Sequence, residues 1–182
     1  MARDVFVVPL KRFDVAKERL RRGGVEDVTG LASNLATAVI ESCAPRPVVV
    51  LSESRDVTRF ALNLGVDVLE SDATTLNEAV QNAYERLGER FDRVIVVHGD
   101  LRDPIALGEF EPDEGVTIVT DHHGRGTNVL VVPTGLDFHF FYGDDSAEKH
   151  RVEAQRRGVP CRLITDSPWR FDVDEPGDVT PP

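Results

Sequence analysis

Short, wholly apolar runs alternate along this chain with segments of helical period, and that alternation constrains the fold more than any other feature. Val5–Leu10 (VFVVPL), Val48–Leu51 (VVVL) and Val94–Val97 (VIVV) contain no polar side chain. A strand with one wet face alternates polar and apolar residues, so an unbroken apolar run needs cover on both faces. Between these runs, Val28–Cys43 places Leu31, Leu35, Ala38 and Val39 at helical spacing, and Pro45 stops it. Asp56–Leu64 and Leu76–Leu87 read as further helices, with a short strand at Val66–Leu69 between them. Val116–Val119, Val129–Val132 and Cys161–Ile164 complete the strands. Ala147–Arg157 reads as a helix with Ser146 at its N-cap and Gly158 just past its end. The pattern predicts an α/β fold of Rossmann-like type, a mainly parallel sheet with helices on both faces. At 182 residues, with no long linker or repeat, one domain over 1–182 is expected.

Charge narrows the partners. A net charge of −11 excludes general nucleic-acid binding, which depends on clustered Lys and Arg. No apolar run approaches the roughly 18 residues of a membrane span. The chain enters its first strand without the charged and apolar regions of a signal peptide, so a cytoplasmic location is expected. Cys43 and Cys161 form no CxxC pair and read as reduced thiols.

In an open α/β sheet, ligands bind beyond the carboxyl ends of the strands. The segment after the first strand, Lys11–Arg22, holds six basic residues and two acidic ones in an acidic protein. Such a surplus suits a nucleoside triphosphate and a leaving pyrophosphate, with Lys11 and Lys17 as the phosphate cations; the alternative is a solvated helix face. After Val94–Val97 comes His98-Gly99-Asp100, either a carboxylate poised to ligate magnesium or an ordinary Gly-Asp turn. Near the C-terminus, Asp172 and Asp174 alternate in an extended segment and share a face. Two such charges repel unless a cation joins them. Tyr142-Gly143-Asp144-Asp145-Ser146 precedes a helix, where the Gly143 and Ser146 amides could receive an anion or merely cap the helix. His98, His122 and His123 raise a transition-metal possibility, but their spacing does not match a known ligand pattern.

Taken in order, these segments resemble the phospholactate and phosphoenolpyruvate guanylyltransferases of deazaflavin coenzyme (F-420) biosynthesis, over nearly the whole chain. Pro9-Leu10-Lys11 with Ala16-Lys17-Glu18-Arg19-Leu20 resembles their phosphate-binding stretch. Leu76-Asn77-Glu78 resembles their Gly-Leu-Asn nucleotide motif, with Thr75 where Gly is usual. Gly126-Thr127-Asn128 is similar to their Gly-Thr-Asn signature, and Phe141–Ser146 with His150 to the block that opens their acceptor-side helix. Asp172–Asp178 is similar to their closing Asp-x-Asp-x-Pro-x-Asp. His98-Gly99 departs from the small pair usual before the metal Asp, and Arg102-Asp103-Pro104 lengthens the Asp-Leu-Pro that follows it.

The resemblance implies a fold of the nucleotide-diphospho-sugar transferase type and transfer of GMP from GTP to a three-carbon phospho-acid, releasing pyrophosphate. It implies Mg2+ on Asp100 with Asp172 or Asp174, nucleotide contacts from Lys11, Lys17, Arg19 and Asn77, and acceptor contacts from Thr127, Gly143 and Ser146. A homodimer is compatible with it. Two other readings remain: a metal-dependent phosphohydrolase built on Asp100 and the histidines, and a non-catalytic nucleotide-binding relative.

Overall fold

The computed structural model describes residues 3–179. Seven strands form one sheet: β1 (Asp4–Pro9), β2 (Val48–Ser52), β3 (Asp67–Glu70), β4 (Arg93–Val97), β5 (Val116–Thr120), β6 (Thr127–Pro133) and β7 (Cys161–Ile164). Their spatial order is β3-β2-β1-β4-β6-β5-β7. β1, β2, β3 and β4 run parallel, as do β5 and β7, while β6 is antiparallel to both of its neighbours. The expectation of a mainly parallel sheet holds, with β6 as the reversal. Only the short Asp121–Gly126 connection separates β5 from β6, too little chain for a parallel crossover but enough for a hairpin.

Successive residues of the central strands face opposite layers, as strand geometry requires. Phe6, Val8, Val50, Ile95, Val97 and Val131 pack on one side with Val39 and Ile40 of α2 (Val28–Ser42) and Val57 and Ala61 of α3 (Arg55–Asn63). Val5, Val7, Val49, Val94, Val96 and Leu130 pack on the other with Val80 and Tyr84 of α4 (Leu76–Leu87) and Ala154 of α5 (Ser146–Arg156). Both faces are covered, which is why these strands read as unbroken apolar runs. A short helix, α1 (Glu18–Arg22), occupies the stretch read as a basic loop, and α6 (Pro176–Val179) ends the described chain.

Helix entry follows from local chemistry. The Ser54 hydroxyl accepts from the Val57 amide, and Thr75 accepts from Glu78, at extended N-cap positions. Thr75, which stands where the resemblance leads one to expect Gly, is therefore a cap. Ser146 departs from its expected cap role. It is the first helical residue of α5, and Asp145 holds the N-cap in a left-handed conformation (φ 55°) with no side-chain cap bond. No helix among the described residues is long and apolar enough to cross a membrane.

Candidate active site

The carboxyl ends of β1, β2, β4 and the start of β6 surround a cleft of about 680 Å³, within the usual range for small-molecule sites. The C-terminal segment closes one wall. Val173 donates its amide to the Asp100 carbonyl at 3.0 Å and Arg102 donates to Phe171 at 2.8 Å, pairing residues 171–173 antiparallel with 100–102. Val173 is buried with Leu20 and Val28 on the far side. Strand alternation then turns Asp172 and Asp174 into the cleft beside Asp100.

Lys17 lies among these carboxylates. Its ammonium pairs with Asp100 Oδ2 and, at 2.6 Å, with Asp174 Oδ1. The side chain is only 10% exposed and leaves a left-handed backbone (φ 60°), a conformation disfavoured for residues with a Cβ. Burial alone would lower the Lys17 pKa, but the charges of Asp100 and Asp174 outweigh it and raise it above the ordinary lysine value. Burial likewise pushes Asp174 up, and Lys17 more than reverses that, leaving it below the usual carboxylate range. Asp172 has no such partner. Burial first, then Asp100 and Asp174, push its pKa upward against one amide contact from Asn128 at 3.4 Å.

Three carboxylates, Asp100, Asp172 and Asp174, with the Lys17 ammonium on two of them, leave a surplus of negative charge, and Asp100 Oδ1 is buried with no hydrogen-bond partner. An oxygen-only donor set with an orphaned carboxylate oxygen suits a hard divalent cation that keeps waters or takes further oxygens from a ligand. Among the described residues no group of three or more His, Cys, Asp or Glu is arranged to hold a metal on its own. His122 and His123 lie outside the cleft lining, their rings tilted by 43° to each other with centroids 3.7 Å apart. The three-histidine metal site considered above is therefore not assembled. His98 does line the cleft, its ring 5.5 Å from that of Tyr142.

The basic surplus after β1 is largely spent locally. Arg12 pairs with Asp14, Arg22 with Glu18, and Arg21 donates to the Phe13 and Ala16 carbonyls and to Thr29, which folds the segment back on itself. Lys11 lines the cleft with no ion pair among the described residues, and Arg19 lines it 3.8 Å from Glu175. Asn77 does not line the cleft. Its amide clamps the Tyr142 backbone, accepting from the N–H at 2.6 Å and donating to the carbonyl at 3.1 Å, and so holds the segment that leads to Gly143.

Across the cleft stand Thr127, Gly143 and Ser146. The expected anion seat at the start of α5 is partly filled by the protein itself. The Ser146 amide bonds to the Gly143 carbonyl at 3.2 Å and the Ala147 amide to the Arg125 carbonyl at 3.0 Å. Gly143 itself has φ 115°, reachable without strain only by glycine. The two hydroxyls instead meet each other: Ser146 Oγ is 3.1 Å from Thr127 Oγ1, which is 3.1 Å from His150 Nδ1. His150 is fully buried, and nothing local in the sequence marks its partner 23 residues away.

A family model described as "Guanylyl transferase CofC like" matches residues 4–180. The chain belongs to this family. Its curated relatives include a phosphoenolpyruvate guanylyltransferase of Sphaerobacter thermophilus, 28% identical across 96% of this chain and 90% of the relative. Another is a 2-phospho-L-lactate guanylyltransferase of Methanothermobacter thermautotrophicus, also 28% identical, covering 95% and 81%. Among solved structures, a nucleotidyl transferase of Methanothermobacter thermautotrophicus aligns with a TM-score of 0.67 at 16% identity, covering 96% of this chain and 93% of that one. A 4-diphosphocytidyl-2C-methyl-D-erythritol synthase of Anaerococcus prevotii aligns with a TM-score of 0.63 at 9% identity, covering 96% and 94%. The guanylyl transferase family thus shares its nucleotide-diphospho-sugar transferase type of fold with enzymes of other substrates, and this member is a nucleotidyltransferase on that fold.

Proposed function

We propose that the chain transfers GMP from GTP to phosphoenolpyruvate or 2-phospho-L-lactate, with magnesium, in the making of a deazaflavin coenzyme. One observation carries this reading: Asp172 and Asp174, from the C-terminal segment, meet Asp100 at the end of β4, the Lys17 ammonium pairs with Asp100 and Asp174, and the cluster faces Thr127 across one cleft. Asp100 and Asp172 would hold the ion, with Asp174 beside them. Bound there, magnesium would supply charge neutralisation and a fixed geometry for phosphate oxygens.

An acceptor phosphate oxygen attacks the α-phosphorus of GTP in line, and the bond from that phosphorus to the β-phosphate bridging oxygen breaks. Pyrophosphate leaves with the electron pair. The acceptor phosphate is ionised near neutral pH, so no general base is required. Lys11 and Arg19, at the mouth of the cleft, stabilise the departing pyrophosphate by charge. Lys17, paired with Asp100 and Asp174 at the cleft wall, would add a further positive charge beside the phosphates. Thr127 and the Gly143 amide receive the acceptor. Positioning and charge cancellation supply the rate enhancement, with no covalent enzyme intermediate.

The test is product mass after incubation with GTP, magnesium and each acid in turn. The expected product joins GMP to the acid through a diphosphate. GDP and inorganic phosphate alone, with every acid, would show hydrolysis and contradict the reading.

A further inference from the structure

Three buried side chains, His150, Thr127 and Ser146, form a hydrogen-bonded chain that ends at the cleft, and their protons can be counted. His150 Nε2 lies 2.9 Å from the Phe141 backbone N–H. A backbone amide only donates, so Nε2 must be the unprotonated, accepting nitrogen. The neutral ring then carries its proton on Nδ1, which faces Thr127 Oγ1 at 3.1 Å. Thr127 Oγ1 must accept a hydrogen bond from that N–H. Its own hydroxyl proton and that of Ser146 remain, with one contact of 3.1 Å between the two oxygens. If Ser146 donates to Thr127, the Thr127 proton is left over; if Thr127 donates to Ser146, the Ser146 proton is left over. In both arrangements one O–H has no protein acceptor, and both residues line the cleft.

We infer that His150 is a positioning residue that locks the Thr127–Ser146 pair as a hydrogen-bond donor, so that the cleft selects an anionic oxygen of the acceptor, carboxylate or phosphate. This rests on the acceptor site proposed above. Were Nδ1 the accepting nitrogen, Thr127 would donate to it and Ser146 to Thr127, and no O–H would be left for the cleft; the Nδ1 proton closes that arrangement. The direction of the lock is set by the Phe141 amide, which lies in the segment that continues to Gly143. Burial, with a smaller push from the neighbouring charge of His98, lowers the His150 pKa to about 3, so the ring stays neutral and its proton stays on one nitrogen throughout the working pH range.

Two substitutions separate the two ring nitrogens. His150→Asn places an amide N–H near the Nδ1 position and loses the acceptor for Phe141. His150→Gln reaches the Nε2 position and loses the donor to Thr127. The expected result is that His150→Gln raises the acceptor KM about tenfold or more while His150→Asn raises it much less, with the GTP KM little changed in both. Equal acceptor KM values in the two variants would reduce His150 to a packing residue and overturn the inference. The ring can also be read without turnover: nitrogen NMR of histidine-labelled wild-type protein should show His150 protonated on Nδ1 and unprotonated on Nε2 from pH 5 to 8. The opposite tautomer, or an imidazolium, would overturn the inference whatever the enzyme makes. Failure of the proposed function would show differently, as wild-type protein that yields no acceptor-dependent product while its His150 tautomer is as expected.

Discussion

Asp172 illustrates how a single residue can serve the site at the expense of the fold. Its carboxylate is held against burial and two neighbouring negative charges, with one long amide contact in return. Asp172→Asn keeps the shape, can still accept from Asn128, and removes the repulsion. Each kcal/mol regained raises the melting point of a chain this size by about 2–4 °C, so a higher melting temperature is expected in magnesium-free buffer. Turnover should fall by more than about a hundredfold, because a charge in the proposed metal and phosphate site is lost. Scanning calorimetry and a rate assay check both halves; a lower melting temperature, or a rate within about tenfold of wild type, would contradict this account of Asp172. His150 gives a pH-dependence with a definite sign. Its folded pKa of about 3 lies below the unfolded value of about 6.5, so between these limits the unfolded chain holds the proton and the native chain does not. Stability is therefore lost as pH falls below about 6.5, by roughly 1.4 kcal/mol per pH unit from this group. Urea unfolding from pH 6.5 to 5 should be flatter in His150→Gln than in wild type by about that slope; parallel curves would contradict it. Some of this was legible in the residues themselves. The Asp172-x-Asp174 spacing showed a shared face because strands have a period of two. The destination of Lys17 did not show, because Asp100 and Asp174 lie 83 and 157 positions away and only the folded sheet brings them together.

At the scale of elements, the first strand is anchored by charge as well as by apolar packing. Asp4 is nearly buried at the start of β1 and accepts from Arg93 at the start of β4 at 2.7 and 2.9 Å, and from Arg46 just before β2 at 3.0 Å. This one carboxylate fixes the entry points of three parallel strands, opposite the end that carries the site. Asp4→Ala takes the shared carboxylate from the largely buried Arg46 and Arg93 guanidinium groups, and breaking a buried pair of this kind costs about 3–5 kcal/mol. Urea unfolding should show a loss of that size, and a loss under about 1 kcal/mol would mean that water replaces the carboxylate. The unbroken apolar strands were readable because burial on two faces forbids polar residues in both phases of the alternation. The reversed direction of β6 was not read, since its signal is the shortness of the Asp121–Gly126 turn rather than the composition of the strand. The start of α5 was misplaced by one residue for a related reason. Ser146 is a favourable cap by type, but its hydroxyl is drawn into the sheet by Thr127, a tertiary contact that overrides the local preference. Asn77 shows the same competition: its amide completes the backbone of Tyr142, a partner 65 positions away that no local motif reveals.

For the molecule as a whole, the sheet converts distance in sequence into proximity at one edge. Strand ends from β1, β4 and β6, together with the returning C-terminal segment, place a carboxylate cluster and a hydroxyl donor on opposite sides of a single cleft. That arrangement predicts a transferase, which needs both substrates at once, rather than a hydrolase, which needs water and one. The most direct test is pyrophosphate release from GTP and magnesium, measured with and without phosphoenolpyruvate or 2-phospho-L-lactate, in wild type and Asp100→Asn. The account predicts release that depends on the acid in wild type, and in Asp100→Asn a rate lower by more than about a hundredfold with the fold intact by circular dichroism. Release at the same rate without either acid, or Asp100→Asn within about tenfold of wild type, would contradict it.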